Sequence, residues 1–394
     1  MMRRILYVAA AACITVFSHA QDNTAEQVLA SIERNNPRLK ALYSSGEASK
    51  MEIRAENNWQ QDLSFSYSPF FAPGVKGIAS SEMVLSTGFD FPTQYVARHK
   101  SGKMRSDAID RQYQLARRDI LLQARLLCMD IVRLNQEKAL LGRRLSNAEE
   151  LLALMEKRFS EGDASIIEVN KVKMEMTDMK SAAVRNSAAL ETAMSGLSAL
   201  NGGIPVDFDA VAYPAMEPVG DPEAFISETL ESDMAVKSAE AALDAADGYV
   251  RLNRQNWLPK FEIGYRRNTA LAEASHGFLI GASIPLFSNR NKTKIAEAER
   301  YAAGNMLNDT RMQAESALRS ALGEIRQLQS ALDVYDVQLM YGTLDALKKA
   351  VEGGMISVMD YYVEADGVYS SLLEYIDVEN RYYRLMAEVR KNEL

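Results

Sequence analysis

Few residues in this sequence are spaced for bond-making chemistry. Its 3 histidines and 2 cysteines leave little material for a zinc site. His99 and His276 have no recognisable nucleophile or acid partner, and no glycine-rich phosphate loop is present. Cys128 sits within a long helical pattern and reads as a small buried hydrophobe. Met174, Met176 and Met179 cluster, and Met355 and Met359 lie close together. Thioethers bind soft Cu(I) or Ag(I), but methionine is also an ordinary core filler. Met174 and Met176, two apart, cannot share a helix face. The residues therefore argue against an enzyme, a resident metal or a cofactor.

A different chemistry is written twice. Gly162-Asp163-Ala164-Ser165-Ile166-Ile167-Glu168 resembles Gly354-Met355-Ile356-Ser357-Val358-Met359-Asp360 at an offset of 192. Glycine reverses a helix where other residues resist the backbone angles. The serine hydroxyl can cap the returning helix. On residues alone these segments are helix punctuation, and Asp360 and Glu364 are helix surface charges. Arg158, Ser160 and Glu161 flank the first turn.

Both turns end long helical patterns. From Pro92 to Gly162 there is no further proline, and one helix of that length spans roughly 105 Å. Tyr113, Ile120, Leu127, Leu134, Leu141, Ala148 and Met155 recur every seventh residue, which specifies coiled-coil packing. A second line, Ala124, Ile131, Leu145, Leu152 and Phe159, is broken by Lys138. Leu318, Ile325, Leu332, Leu339 and Ala346 predict the same device in the second half.

Ahead of each long helix come a helical stretch and two strands. The helical stretches are Ala25–Asn57 and Pro222–Asn256. Leu63-Ser64-Phe65-Ser66-Tyr67 alternates strictly, and Met83, Leu85, Phe89 and Phe91 share one parity. Phe261, Ile263 and Tyr265, then Phe278, Ile280, Ala282 and Ile284, repeat the pattern. Period-two alternation reads as strand. Gly88-Phe89-Asp90-Phe91-Pro92 also resembles Gly281-Ala282-Ser283-Ile284-Pro285, and Trp59 has a counterpart in Trp257. The order and spacing imply an internal duplication: a first repeat over 21–205, a linker over 206–221, and a second repeat over 222–394.

Residues 1–20 read as a secretory signal peptide, with Arg3 and Arg4, an apolar Ile5–Phe17 and Ser18-His19-Ala20 before a cut at Gln21. Lipid anchoring at Cys13 is the alternative. Removal of the leader leaves only Cys128, so no internal disulfide can form. The net charge of −8 argues against nucleic acid, which needs clustered lysine and arginine. Four strands cannot close a barrel alone. Three copies would supply twelve, with an apolar parity outward and a small or polar parity around a wet lumen; the alternative on these residues is a soluble four-stranded sheet packed on helices.

The order of helix, hairpin, long helix, turn and return helix, written twice, resembles the TolC-like outer-membrane factors. The paired glycine-serine-acid turns and the apolar-proline strand ends at Phe91-Pro92 and Ile284-Pro285-Leu286-Phe287 carry that resemblance. It implies a mainly α fold with a β-barrel part. Long coiled-coil helices would form a trimeric α-barrel, and four strands per chain would share a twelve-stranded barrel in outer-membrane lipid. It implies a homotrimer in the outer membrane, with a long periplasmic extension. Its partners would be a periplasmic adaptor and an inner-membrane pump of the RND or ABC type. Substrate would pass unchanged, in efflux or type I secretion. It places Arg158, Gly162, Ser165, Gly354 and Ser357 at adaptor-contact tips. It places Asp360, with Glu364, at the pore gate, where a ring of carboxylates would favour cations. The family pattern has its second acid where this chain has Val363. Glu168, the equivalent of Asp360, is less suited to line a pore. The rival reading is a periplasmic structural or adaptor-like coiled coil without a membrane barrel.

Overall fold

A computed structural model describes residues 24–58, 62–270, 273–285 and 289–394. The expected leader over 1–20, with Cys13, lies outside the described residues, as do Trp59 and the Leu286-Phe287 pair. The first half runs α1 (Ala25–Asn35), α2 (Pro37–Asn57), β1 (Leu63–Phe70), β2 (Ser80–Phe89), α3 (Pro92–Glu161) and α4 (Ile166–Leu200). The second runs α5 (Pro222–Ser232), α6 (Met234–Gln255), β3 (Lys260–Ala270), β4 (Glu273–Ser283), α7 (Lys292–Leu332), α8 (Val337–Glu352) and α9 (Val358–Val389).

Three differences from the sequence expectation have local causes. Each opening helical stretch is two helices. Asn36 accepts from the Leu39 N–H and precedes Pro37, so the chain must restart there. Asp233 does the same, accepting from the N–H groups of Ala235 and Val236. The long helix of the second half is also interrupted. Asp336 caps a new start by accepting from the Leu339 N–H at 2.8 Å. Leu339 and Ala346, expected in the heptad seam, are exposed, and Leu344 and Val351 are buried instead.

The first long helix is unbroken over 70 residues. Ile120, Leu134, Ala148 and Met155 of its heptad line are buried. One core joins the far half of α3 to α4, α8 and α9 through Met155, Val172, Leu344 and Tyr369. A second joins α1 and α3 to the end of α4, with Phe208 of the linker inserted. The linker crosses α3 as an extended strap. Asn135 Nδ2 donates to the Ala210 carbonyl at 3.0 Å, and Tyr213 stacks on Tyr383 of α9 at 4.3 Å.

Nearer the sheet, α2 lies against α3, α3 against α6, and α6 against α7. The sheet follows the same sequence of neighbours, β1-β2-β3-β4, antiparallel throughout. Thr93 and Gln94 at the start of α3 donate to Gln255 at the end of α6, at 2.7 and 2.6 Å. Asp90, buried below β2, pairs with Arg98 at 2.7 Å and Lys260 at 3.4 Å. These bonds fix the sheet onto the helices.

The register sorts the sheet into two faces, because directly opposed residues share a side. Leu63, Phe65, Tyr67, Met83, Leu85, Ile263, Tyr265, Phe278 and Ile280 share one. Ser64, Ser66, Glu82, Ser86, Gly264, Arg266, Asn268, Gly277 and Gly281 share the other. The apolar face is bare: Phe65 is 64% exposed, Phe278 91% and Ile280 84%. No helix lies beneath it among the described residues, so the alternation is not that of a sheet packed on helices. On the polar face Arg266 pairs with Glu82 at 2.7 Å.

Gly264 is needed there. A Cβ on it would lie 2.7 Å from the Leu85 carbonyl oxygen and 2.7 Å from Ser86 Cβ. Gly277, on the same face, has nothing within 4 Å of such an atom. Gly264→Ala should therefore destabilise the sheet by about 1–3 kcal/mol, the usual penalty of overpacking. Gly277→Ala should be close to neutral. Denaturation midpoints of the two detergent-purified variants check this pair.

Candidate functional site

The far ends of α3 and α8 reverse by the same device. Gly162 has φ +87° and Gly354 has φ +71°, both left-handed. At the first turn the Asp163 N–H reaches the Arg158 carbonyl at 2.8 Å and the Gly162 N–H reaches Phe159 at 3.1 Å. At the second the Met355 N–H reaches Ala350 at 2.8 Å and the Gly354 N–H reaches Val351 at 3.1 Å. This is the six-to-one and five-to-two pairing of a Schellman motif, which satisfies the last helix carbonyls.

The returning helices start alike. Ser165 Oγ accepts from the Glu168 N–H at 3.3 Å, and Glu168 Oε2 accepts from the Ser165 N–H at 2.7 Å. Ser357 Oγ accepts from the Asp360 N–H at 3.1 Å. Asp360 Oδ2 accepts from the Ser357 N–H at 3.3 Å and from its hydroxyl at 2.7 Å. Both are capping boxes. Asp360 thus has a structural task at a helix N-terminus, where the dipole favours an anion. It is nevertheless exposed, as are Val363 and Glu364 one turn on.

The structure brings the two tips side by side. Arg158 Nη2 donates to the Glu352 carbonyl, the last of α8, at 2.7 Å. Phe159, Ile166, Ile167, Met355, Met359 and Val363 are exposed around this end. So the tips combine satisfied backbone, a charged stripe and uncovered apolar side chains. Such a surface suits docking rather than catalysis. Met174 is exposed whereas Met179 is buried, so those methionines do not converge.

Behind the tips lies a polar cluster that the sequence reading missed. Arg144 pairs with Asp366, lies 3.7 Å from Glu175, and stacks 4.7 Å over the Tyr369 ring. Tyr361 and Tyr362 are buried beside it. Burial pushes the Tyr361 hydroxyl up to about 12 and raises Tyr362 as well. Both therefore stay neutral across physiological pH. The heptad pattern of α3 gave no signal for it, because position 144 falls on neither line, whose nearest members are Leu141 and Leu145.

Two outcomes follow from these local geometries. Ser165→Ala and Ser357→Ala should each cost about 1 kcal/mol of stability, the typical loss of a serine cap; thermal unfolding in detergent measures it. Cys128 is 1% exposed, and burial pushes its thiol up to about 12. A raised thiol value means protonation, and so low nucleophilicity, at pH 8. Maleimide should leave native protein unmodified there and react after denaturation; mass spectrometry distinguishes the two.

The comparisons with known proteins agree with this architecture. The model of the outer membrane efflux protein family matches residues 225–391. The nickel-cobalt-cadmium resistance protein NccC of Alcaligenes xylosoxydans xylosoxydans is 34% identical over 197 residues, 45% of this chain and 43% of that protein. The chain thus spans under half the length of that curated relative. The outer membrane protein VceC of Vibrio cholerae superposes with a TM-score of 0.77 at 15% identity, covering 94% of this chain and 96% of that one. The Campylobacter jejuni CmeC outer membrane channel gives 0.75 at 15% identity, over 93% and 85%. Those two likenesses carry the fold across nearly the whole chain, and the sequence matches carry the kinship. Residues 225–391 thus resemble the outer membrane efflux protein family, and the chain has the fold of outer-membrane channels such as VceC and CmeC.

Proposed function

We propose that the chain is the outer-membrane channel of a tripartite efflux system, conducting cargo passively through a homotrimeric tube. The observation that carries this reading is the sheet with one bare apolar face and one serine- and glycine-rich face. Lipid would cover the first and water the second. The strands have 8 to 11 residues, the span of a tilted membrane strand.

The open margins favour a ring. On one side β1 has no outer partner strand among the described residues, and α2, which packs on α3, leaves Tyr43 and Met51 exposed. On the other β4 has no outer partner strand among the described residues, and α7, which packs on α6, leaves Tyr301, Met306 and Met312 exposed. The two margins differ, so copies would associate head to tail, an arrangement that forms a ring when the rotation between copies closes. Three copies give twelve strands and an α-barrel beneath them. The recurrence of the element order supports a duplicated chain of two repeats joined by the strap.

The tips would meet a periplasmic adaptor through Arg158, Gly162, Ser165, Gly354 and Ser357, with an RND or ABC pump beyond it. Asp360 and Glu364, repeated three times, would form an acidic gate favouring cations. The cargo proposed is divalent transition-metal ions, on the strength of the relative named for nickel, cobalt and cadmium resistance. No nucleotide site supplies energy within this chain's described residues, so the pump would drive transport.

The oligomer mass of protein extracted from outer membranes in mild detergent tests the ring. A trimer is expected, and Asp360→Asn should lower its cation preference in planar bilayers. A water-soluble monomer or dimer with no outer-membrane fraction would overturn the barrel and leave the periplasmic coiled coil. An intact trimer whose loss does not alter tolerance to nickel, cobalt or cadmium would overturn the cargo alone.

A further inference from the structure

One aromatic side chain breaks the polar line of the sheet. Ser64, Ser66 and Ser68 alternate along β1 on the serine- and glycine-rich face, and Phe70 is the next residue on that parity. It pairs with Ser80, which pairs with Ala270, which pairs with Glu273. That row, at the end of the sheet far from the helices, offers Phe70 no apolar neighbour. The ring is 51% exposed. Exposed aromatic surface forgoes the stabilisation of burial, about 25 cal/mol for each Å².

Phe70 is also the root of the longer hairpin loop. The Ala79 N–H closes residues 71–79 by donating to the Phe70 carbonyl at 2.8 Å. Gly74 and Gly77 take positive φ within it, and Phe71, Val75 and Ile78 are exposed. Only two residues separate β3 from β4, so the second hairpin has no comparable reach. A lipid contact would account for Phe65 and Tyr67, which lie on the apolar face. It does not account for Phe70, which points the other way.

We propose that Phe70 and the loop it anchors meet their copies from the other subunits, forming an apolar constriction at the outer mouth of the barrel. This rests on the trimeric barrel proposed above. Eight-stranded barrels are filled by side chains, whereas sixteen or more strands leave an open channel. Twelve lies between, so a ring of three phenylalanines with their loops narrows the mouth. An apolar constriction gates by dewetting and by size. The device restricts entry from outside without touching the periplasmic gate.

The test reads access from the outer side, so it does not depend on the state of the tips. Ser66→Cys lies below Phe70 on the same face, and Cys128 is buried and silent. Intact cells are treated with a small charged thiol reagent and with a maleimide on a long polyethylene glycol chain. The small reagent is expected to label Ser66→Cys and the large one to be excluded. Adding Phe70→Ser should raise labelling by the large reagent several-fold, and Phe70→Trp should lower labelling by an intermediate one. Equal access of the large reagent with Phe70 and with Phe70→Ser overturns the constriction and leaves the barrel standing. If Ser66→Cys resists even the small reagent while Phe65→Cys is labelled, the lumen assignment fails and the constriction falls with it.

Discussion

A four-stranded sheet with nothing beneath its apolar face is the constraint on which the rest depends. Strands of this composition in water would collapse onto a helix layer, since that is how a sheet ordinarily buries its apolar side. Here the helices continue away from the sheet end instead of folding under it. The bonds from Thr93 and Gln94 to Gln255, and from Asp90 to Arg98 and Lys260, hold that continuation in line. In the proposed channel the sheet would find its cover outside the chain, in lipid and in further copies. Gly264 belongs to the same sheet, where a Cβ would clash with the Leu85 carbonyl and Ser86 of the neighbouring strand.

The helices carry a second requirement, that of length without a globular core. An α3 of 70 residues is stabilised along its length by neighbours taken in turn: α2 and α6 near the sheet, α1 and the strap in the middle, α4, α8 and α9 beyond. Each core is thin and its neighbours change along the axis. The strap across the middle compensates, with Phe208 inserted into one core and Tyr213 stacked on α9. The break between α7 and α8 has a packing reason. The buried line moves from Leu318 and Ile325 to Leu344 and Val351, a change of face that a straight helix could not make.

Much of this was legible in the sequence because it rests on local periodicity. The heptad line of α3, the alternation of the strands, and the glycine-serine-acid turns each depend on residues a few positions apart. The divided opening helices were equally written in Asn36-Pro37 and in Asp233, as caps. What escaped depends on tertiary register. Nothing near Arg158 in the chain announces the Glu352 carbonyl, and Arg144 meets Glu175 and Asp366 only once three helices are packed. The sheet's strand order is likewise non-local, since β2 pairs with β3 across the whole span of α3 to α6. The heptad count failed at Leu339 for a related reason. A seven-residue spacing can persist by chance across a cap, and only Asp336 marks that the helix has restarted.

The tips separate two kinds of stability. Each reversal is closed by its own backbone bonds and capping box, all within a few residues. The two hairpins, by contrast, are joined by side chains: Arg158 on the Glu352 carbonyl, Lys348 on Asn147 and Glu150, Arg144 on Asp366, and the shared core around Met155 and Val358. Each such hydrogen bond is worth about 1.5–3 kcal/mol at most in a protein and less where solvent reaches it. Asp360 sits on the side of this divide that stays fixed, bonded to Ser357 within its own hairpin. In the proposed channel a gate could open by displacing whole hairpins while every capping bond, and the carboxylate it positions, stays intact. A ring of acids carried on rigid turns would keep its charge geometry relative to each helix and change only its radius.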